Sequence, residues 1–144
     1  MSDTVRIVRV ECPGFVVKIT RTKWKLQQSY CYICQRRDKP LECHEIARGN
    51  HKQRAMLVPA TWISTCRDCH RDHLDGMSIA KQLAYKAIHD PEWYDRQAVN
   101  VCRCQQPEAV TEFEVQAEIK RIKAEGVKAL EPFWQTLDRE RNRK

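Results

Sequence analysis

The chain has no apolar run approaching the roughly 18 to 20 residues a membrane helix requires, so it holds no sequence candidate for a helical membrane span. It also shows no basic and apolar leader. Met1-Ser2-Asp3-Thr4 opens a mixed, strand-like pattern, and the expected residence is the cytoplasm, or a host cell's cytoplasm if a phage encodes the protein. Acidic residues are the minority charge, 19 Asp and Glu against 26 Lys and Arg. The resulting net charge of +7 points to a polyanionic partner, because each Lys or Arg that neutralises a phosphate releases condensed counterions. No internal repeat is longer than a duplicated Cys-x-x-Cys. A length of 144 residues leaves room for one compact domain, with 42% hydrophobic and 31% charged residues, as in ordinary soluble globular proteins.

What the chain does have is cysteine. Two of its eight cysteine positions form the pair Cys31/Cys34 and two form Cys66/Cys69; between the pairs lies Cys43-His44-Glu45, and just after them come His70 and His73. Without a secretory leader these thiols should stay reduced, which favours metal ligation over disulfides. Four thiolates in two such knuckles fit one tetrahedral zinc. The histidines and the glutamate are then surplus to the structural metal, and a second site is the natural suspicion.

Residues Val5 to Thr20 are rich in Val and Ile with partial alternation, broken at Pro13-Gly14, and read as an N-terminal β element within a β extension over residues 1–27. Thr22 to Tyr32 is mixed, with Trp24 and Tyr30 able to pack on the first knuckle. Leu41 to Ile46 reads as a short strand after the Asp38-Lys39-Pro40 turn, with a loop at Arg48-Gly49-Asn50. From residue 76 onward the period becomes helical. Ile79, Leu83 and Ala87, with Ala80, Ala84 and Ile88, define one helix; Asp90-Pro91 ends it, and Asp90 is the expected cap of the next. Thr111-Glu112-Phe113-Glu114 has the capping-box form, with Val110 and Val115 as a staple, and predicts a helix from Glu112 to Glu125. Gly126 weakens or breaks it before a last stretch, Val127 to Arg139, whose basic end reads as solvated. The expected class is α+β: a small zinc-stapled core over residues 28–75, covered by the helices of residues 76–144.

Chemistry has to come from the middle of the chain. Histidine is both a usual metal ligand and a usual general base near neutral pH. Phosphodiester hydrolysis needs a metal to stabilise charge on the phosphate and leaving oxygen, plus a base to deprotonate water. His44 from the hairpin and His70 or His73 from the following helix are expected to converge on one ion. The last two are three residues apart, which puts them on one helical face.

Cys31-x-x-Cys34, then Leu41-Glu42-Cys43-His44-Glu45-Ile46, then Cys66-x-x-Cys69-His70 resembles an HNH endonuclease of the cysteine-knuckle type over residues 28–75. The resemblance implies a ββα-metal site on a treble-clef scaffold, with divalent-metal-dependent cleavage of DNA. The implied cofactors are a structural Zn2+ and a catalytic Mg2+, Mn2+ or Zn2+. The chain departs from the family at the usual His-His or Asp-His pair. Aligned on Ile46, His44 is the metal ligand and Glu45 the base; aligned on the histidine, His44 is the base and Cys43 the ligand. The first register is preferred, because thiolate is a soft ligand poorly matched to magnesium, whereas Glu45 can accept a proton if its pKa is raised. The family's central Asn is replaced by Thr61, able to supply one hydrogen bond but not the whole amide, with Asn50 as a substitute from the intervening loop.

Arg36, Arg37, Arg48, Lys52, Arg54, Arg67 and Arg71 cluster in sequence around the site with Trp62 among them, as either a solvated face or a basic rim for phosphate; Arg48, Lys52, Arg54, Arg67 and Arg71 are the candidate DNA contacts. Cys12, Cys102 and Cys104 read as lone thiols, and His51 and His89 as satisfied histidines. The favoured function is a metal-dependent endonuclease; the alternative is a zinc-stapled module that binds nucleic acid or protein with its nuclease centre eroded. A single site cuts one strand at a time, so double-strand cutting would call for a homodimer.

Overall fold

A computed structural model describes residues 19–47 and 55–125. The expected N-terminal strands with Cys12, the loop bearing Arg48, Asn50, His51, Lys52 and Arg54, and the stretch beyond Gly126 lie outside the described residues. Among those described, helices and a small two-stranded sheet make an α+β arrangement around one hydrophobic core. No described helix is long and apolar enough to cross a membrane.

The first described element departs from the expected β extension at residues 21–26. Arg21–Leu26 is a helix, α1, begun by Thr20, whose hydroxyl accepts the Lys23 N–H at 3.2 Å. Trp24 anchors it, fully buried against Trp62 and Tyr32 at ring distances of 5.6 and 6.5 Å. Tyr30 also packs on Tyr32, so both aromatic residues meet the first knuckle.

Strands β1, Leu41–Glu45, and β2, Trp62–Cys66, pair antiparallel with His44 opposite Ile63 and Glu42 opposite Thr65. All five residues of β2 are buried. The first knuckle docks on this strand: Tyr32 N–H donates to the Ser64 carbonyl at 2.8 Å and the Ser64 hydroxyl to the Tyr30 carbonyl at 2.9 Å. Gln35 completes the knuckle turn with a φ of 61°, the left-handed region that side chains other than glycine seldom occupy. Trp62 belongs to this core and not to a basic rim, since it is 1% exposed and its indole N–H donates to the Ala55 carbonyl at 2.9 Å.

Helix α2, Arg67–Asp72, follows β2 directly; α3, Ile79–His89, starts at Ser78, whose hydroxyl caps the Lys81 N–H. Asp90 stands at the N-cap position of a 3-10 turn, Pro91–Trp93, as expected, but its side chain makes no capping bond. Its carboxylate instead accepts from Lys86 Nζ at 2.6 Å and from the Trp24 indole at 2.8 Å, and the next helix, α4 (Arg96–Cys102), is capped by Asp95. The capping box is present: Thr111 N–H donates to Glu114 and Glu114 N–H to the Thr111 hydroxyl, opening α5, Glu112–Glu125. Val115 and Ile122 turn its narrow apolar face onto α3 and join the core.

Candidate functional site

The four knuckle cysteines come together. Cys31 and Cys34 precede β1, Cys66 ends β2 and Cys69 lies in α2; all are buried, and their sulfur atoms lie within 4.8 Å of one another. A zinc–sulfur bond of about 2.3 Å requires tetrahedron edges of about 3.8 Å, and Cys34 Sγ is 3.9 Å from Cys66 Sγ. The donor set therefore fits a structural metal such as zinc, which would tie the segment before the hairpin to the strand and helix after it.

Beside this cluster, strand alternation decides which side chains share a face. Residues 42 and 44 are half-exposed, while Cys43 and Glu45 are buried on the other side. Glu45 is 6% exposed and receives Arg21 Nη2 of α1 at 2.6 Å. Burial pushes the Cys43 thiol up to about 11, so it is a protonated thiol at neutral pH. Neither Glu45 as base nor Cys43 as ligand stands on the face that carries His44. The carboxylate that does is Glu42.

Across from this face, His70 of α2 packs edge-on against His44, with ring centres 4.9 Å apart. Each ring is held by a defined acceptor. Gln82 donates its amide N–H to the Met77 carbonyl at 2.8 Å, which leaves its Oε1, 2.7 Å from His44 Nε2, as the acceptor. His44 Nε2 is thus the protonated nitrogen, and in the neutral ring Nδ1 carries the lone pair. His70 Nδ1 lies 3.0 Å from Glu42 Oε1, so by the same logic His70 carries its lone pair on Nε2. Carboxylate or carbonyl support of this kind is what orients histidines that bind metals.

His73 goes elsewhere. Helix α2 ends at Asp72, and His73 leaves helical geometry at φ −122° and ψ −51°, so the three-residue spacing no longer puts it beside His70. It lines a separate cavity with Ile33, Met77, Lys81 and Tyr85. His73 Nε2 and the Tyr85 hydroxyl are both buried there without a hydrogen-bond partner among the described residues. Among the described residues, the cysteine cluster is the one group of three or more candidate ligands whose donor atoms all lie within 4.8 Å of one another. The expected His44, His70 and His73 triplet is not assembled. What the structure brings together is a pair, His44 and His70, held by Gln82 and Glu42.

Arg67 and Arg71 border this face in a groove shared with Glu42, His70 and Asp75. Arg71 is largely exposed and pairs with Asp72 at 2.8 Å and Asp68 at 3.2 Å. Arg36 pairs with Asp38, and Arg37 lies over the Tyr30 ring and donates to Ser29. Thr61 is buried at the foot of the hairpin loop, where its hydroxyl lies 2.8 Å from both the Ala55 and Val58 carbonyls and its own carbonyl accepts the Ile46 N–H. It therefore ties residues 55 and 58 to the start of β2 and to the end of β1. His89 is held as expected of a helix-end histidine, against the Tyr30 hydroxyl at 3.0 Å and stacked on Tyr32. Cys102 is buried and Cys104 exposed.

Sequence reasoning missed Gln82, Glu42 and Arg21. The period of two in Leu41 to Glu45 was signal enough for Glu42; Gln82, 38 residues from His44, left none. No family model, no curated protein and no solved structure matches this chain.

Proposed function

We propose that the protein is a divalent-metal-dependent endonuclease of the HNH type that hydrolyses DNA phosphodiester bonds, built on a treble-clef, ββα-metal scaffold. The observation that carries this reading is the pair His44 and His70, on adjacent hairpin and helix, with their lone pairs directed by Gln82 and Glu42. Such fixed tautomers are of little use to a purely structural zinc domain. A bound Mg2+, Mn2+ or Zn2+ would stabilise charge on the scissile phosphate and leaving oxygen. In this reading His70, steadied by Glu42, is its protein ligand. His44 Nδ1 takes the proton of the attacking water, since Glu45 is turned into the core and paired with Arg21. Arg67 and Arg71 hold the backbone, and Arg48, Lys52 and Arg54 of the adjoining loop belong to the same proposal.

A second reading is a zinc-stapled binding module for nucleic acid or protein. The diversion of His73 favours it, because it removes one of three expected ligands. Plasmid cleavage with magnesium or manganese separates the two. The nuclease reading expects nicked or linear product from the parent protein and none from His44→Ala at unchanged zinc content. Equal, negligible cleavage by both proteins at full zinc occupancy would leave the binding module.

A further inference from the structure

The groove of Arg67 and Arg71 is one of two that meet at the candidate site. A second is walled by Arg21, Thr22 and Lys25 of α1 with Cys43 of β1; Glu42 and His70 line both. Glu42 and His70, beside His44, are therefore the saddle between two grooves, and the second wall is a helix. On α1, Lys25 follows Arg21 by four residues and Thr22 by three, so all three lie along one side of the helix. Trp24, buried on the adjoining side of the helix, anchors it to the core and so fixes where Lys25 and Thr22 are presented. The helix contains no acidic residue. Arg21 spends Nη2 on Glu45 and the Cys43 carbonyl, and its Nε–H is buried with no acceptor among the described residues.

We propose that α1 is the second bank of a nucleic-acid cradle: Lys25 and Thr22 hold backbone phosphates on one side of the His44 and His70 face, and Arg67 and Arg71 hold those on the other. The surface rests on the nuclease reading for its place in catalysis, but binding and cleavage are separately measurable. A phosphodiester chain carries a charge at every step and can meet both banks while crossing the saddle. Phosphate contacts of this kind position a strand and read no sequence.

The test measures binding of a fluorescently labelled DNA duplex by full-length His44→Ala protein over a range of salt, then adds Lys25→Ala or Arg67→Ala. Parent protein is assayed for plasmid cleavage in parallel, and zinc content and melting are checked for each variant. One phosphate contact contributes about 0.9 to the slope of log affinity against log salt, which is about fivefold at 0.15 M. Lys25→Ala is expected to lose about that much affinity and slope, as Arg67→Ala does, with zinc content and melting unchanged. Undiminished affinity and slope in Lys25→Ala, beside a loss in Arg67→Ala, would overturn the second bank and leave the nuclease reading intact. Loss of affinity in Lys25→Ala with no cleavage by the parent would keep the cradle and remove the nuclease. No DNA binding by any of the proteins would remove both.

Discussion

Asp90→Ala tests the packing that holds α1 in position. Lys86 is fully buried in α3; its ammonium sits 4.8 Å from the centre of the Trp24 ring and donates to the Trp62 carbonyl at 2.7 Å and to Asp90 at 2.6 Å. Burial lowers its pKa to about 8, and the attraction of Asp90 only partly offsets that. When Asp90 is removed the ammonium need not remain as an unpaired buried charge, because it can shed its proton. At pH 7, one unit below the folded pKa, deprotonation costs about 1.4 kcal/mol, and this limits what Lys86 contributes to the loss. The Trp24 indole N–H also loses its acceptor, worth about 1 to 3 kcal/mol. The expected destabilisation is therefore about 2 to 4 kcal/mol, below the roughly 3 to 5 kcal/mol of a broken buried pair that cannot neutralise.

The pH dependence makes this specific. A lysine whose folded pKa lies below its unfolded value binds fewer protons when folded, so stability rises with pH from the folded pKa of about 8 up to 10.5. In Asp90→Ala the folded pKa drops further and the rise begins at lower pH. Between pH 7 and 9 the variant gains on the parent, and the gap should shrink by up to about 1.4 kcal/mol to the indole contribution alone. Effects of pH on the zinc cysteines are common to both proteins and cancel in the difference. Urea unfolding at pH 7 and 9 with zinc occupancy measured reads the gap directly. A gap below about 1 kcal/mol at pH 7, or one that widens towards pH 9, would refute the reasoning.

Much of the fold could be read from the sequence because its strongest signals are local. Ser78 before Ile79, the Thr111 to Glu114 capping box and the alternation of Leu41 to Glu45 each determine an element within a few residues. Helix α1 gave no such signal. It is six residues long with Trp24 as its one buried side chain, so it has no period to detect and is held by the distant groups Asp90, Trp62 and Glu45. Asp90 was legible only in part: it stands at the cap position before Pro91, yet the buried Lys86 four residues earlier and the Trp24 indole claim its carboxylate.

The site was legible where spacing and chemistry coincide, as in the two Cys-x-x-Cys pairs, whose sulfurs converge. It failed where spacing was read without asking how far the element extends. The His70 and His73 interval places both on one face only while the helix continues, and α2 stops at Asp72. The adjacent His44 and Glu45 suggested a paired ligand and base, although neighbours on a regular strand face opposite ways.

Two substitutions follow from that geometry. Glu45→Gln keeps a hydrogen bond to Arg21 and removes the ion pair; since Arg21 is over a third exposed, about 1 kcal/mol of stability should be lost, or roughly 3 °C in melting temperature. On the nuclease reading, cleavage should stay within a few fold of the parent, and loss of cleavage at near-parent stability would return the base role to Glu45. Gln82→Leu instead acts on His44 itself. Leucine fills similar space but gives Nε2–H no acceptor and leaves the Met77 carbonyl without its donor, so the imidazole loses the bond that determines its tautomer. On the nuclease reading, loss of such an orienting partner should lower cleavage about 10- to 100-fold. Gln82→Glu still presents an acceptor to Nε2–H and should preserve most of the rate. Ring-nitrogen NMR gives an answer independent of cleavage: His44 in the parent should show the Nε2-protonated tautomer, and Gln82→Leu a mixture. A parent already mixed, or a Gln82→Leu protein cutting at the parent rate, would mean that Gln82 does not prepare His44 for chemistry.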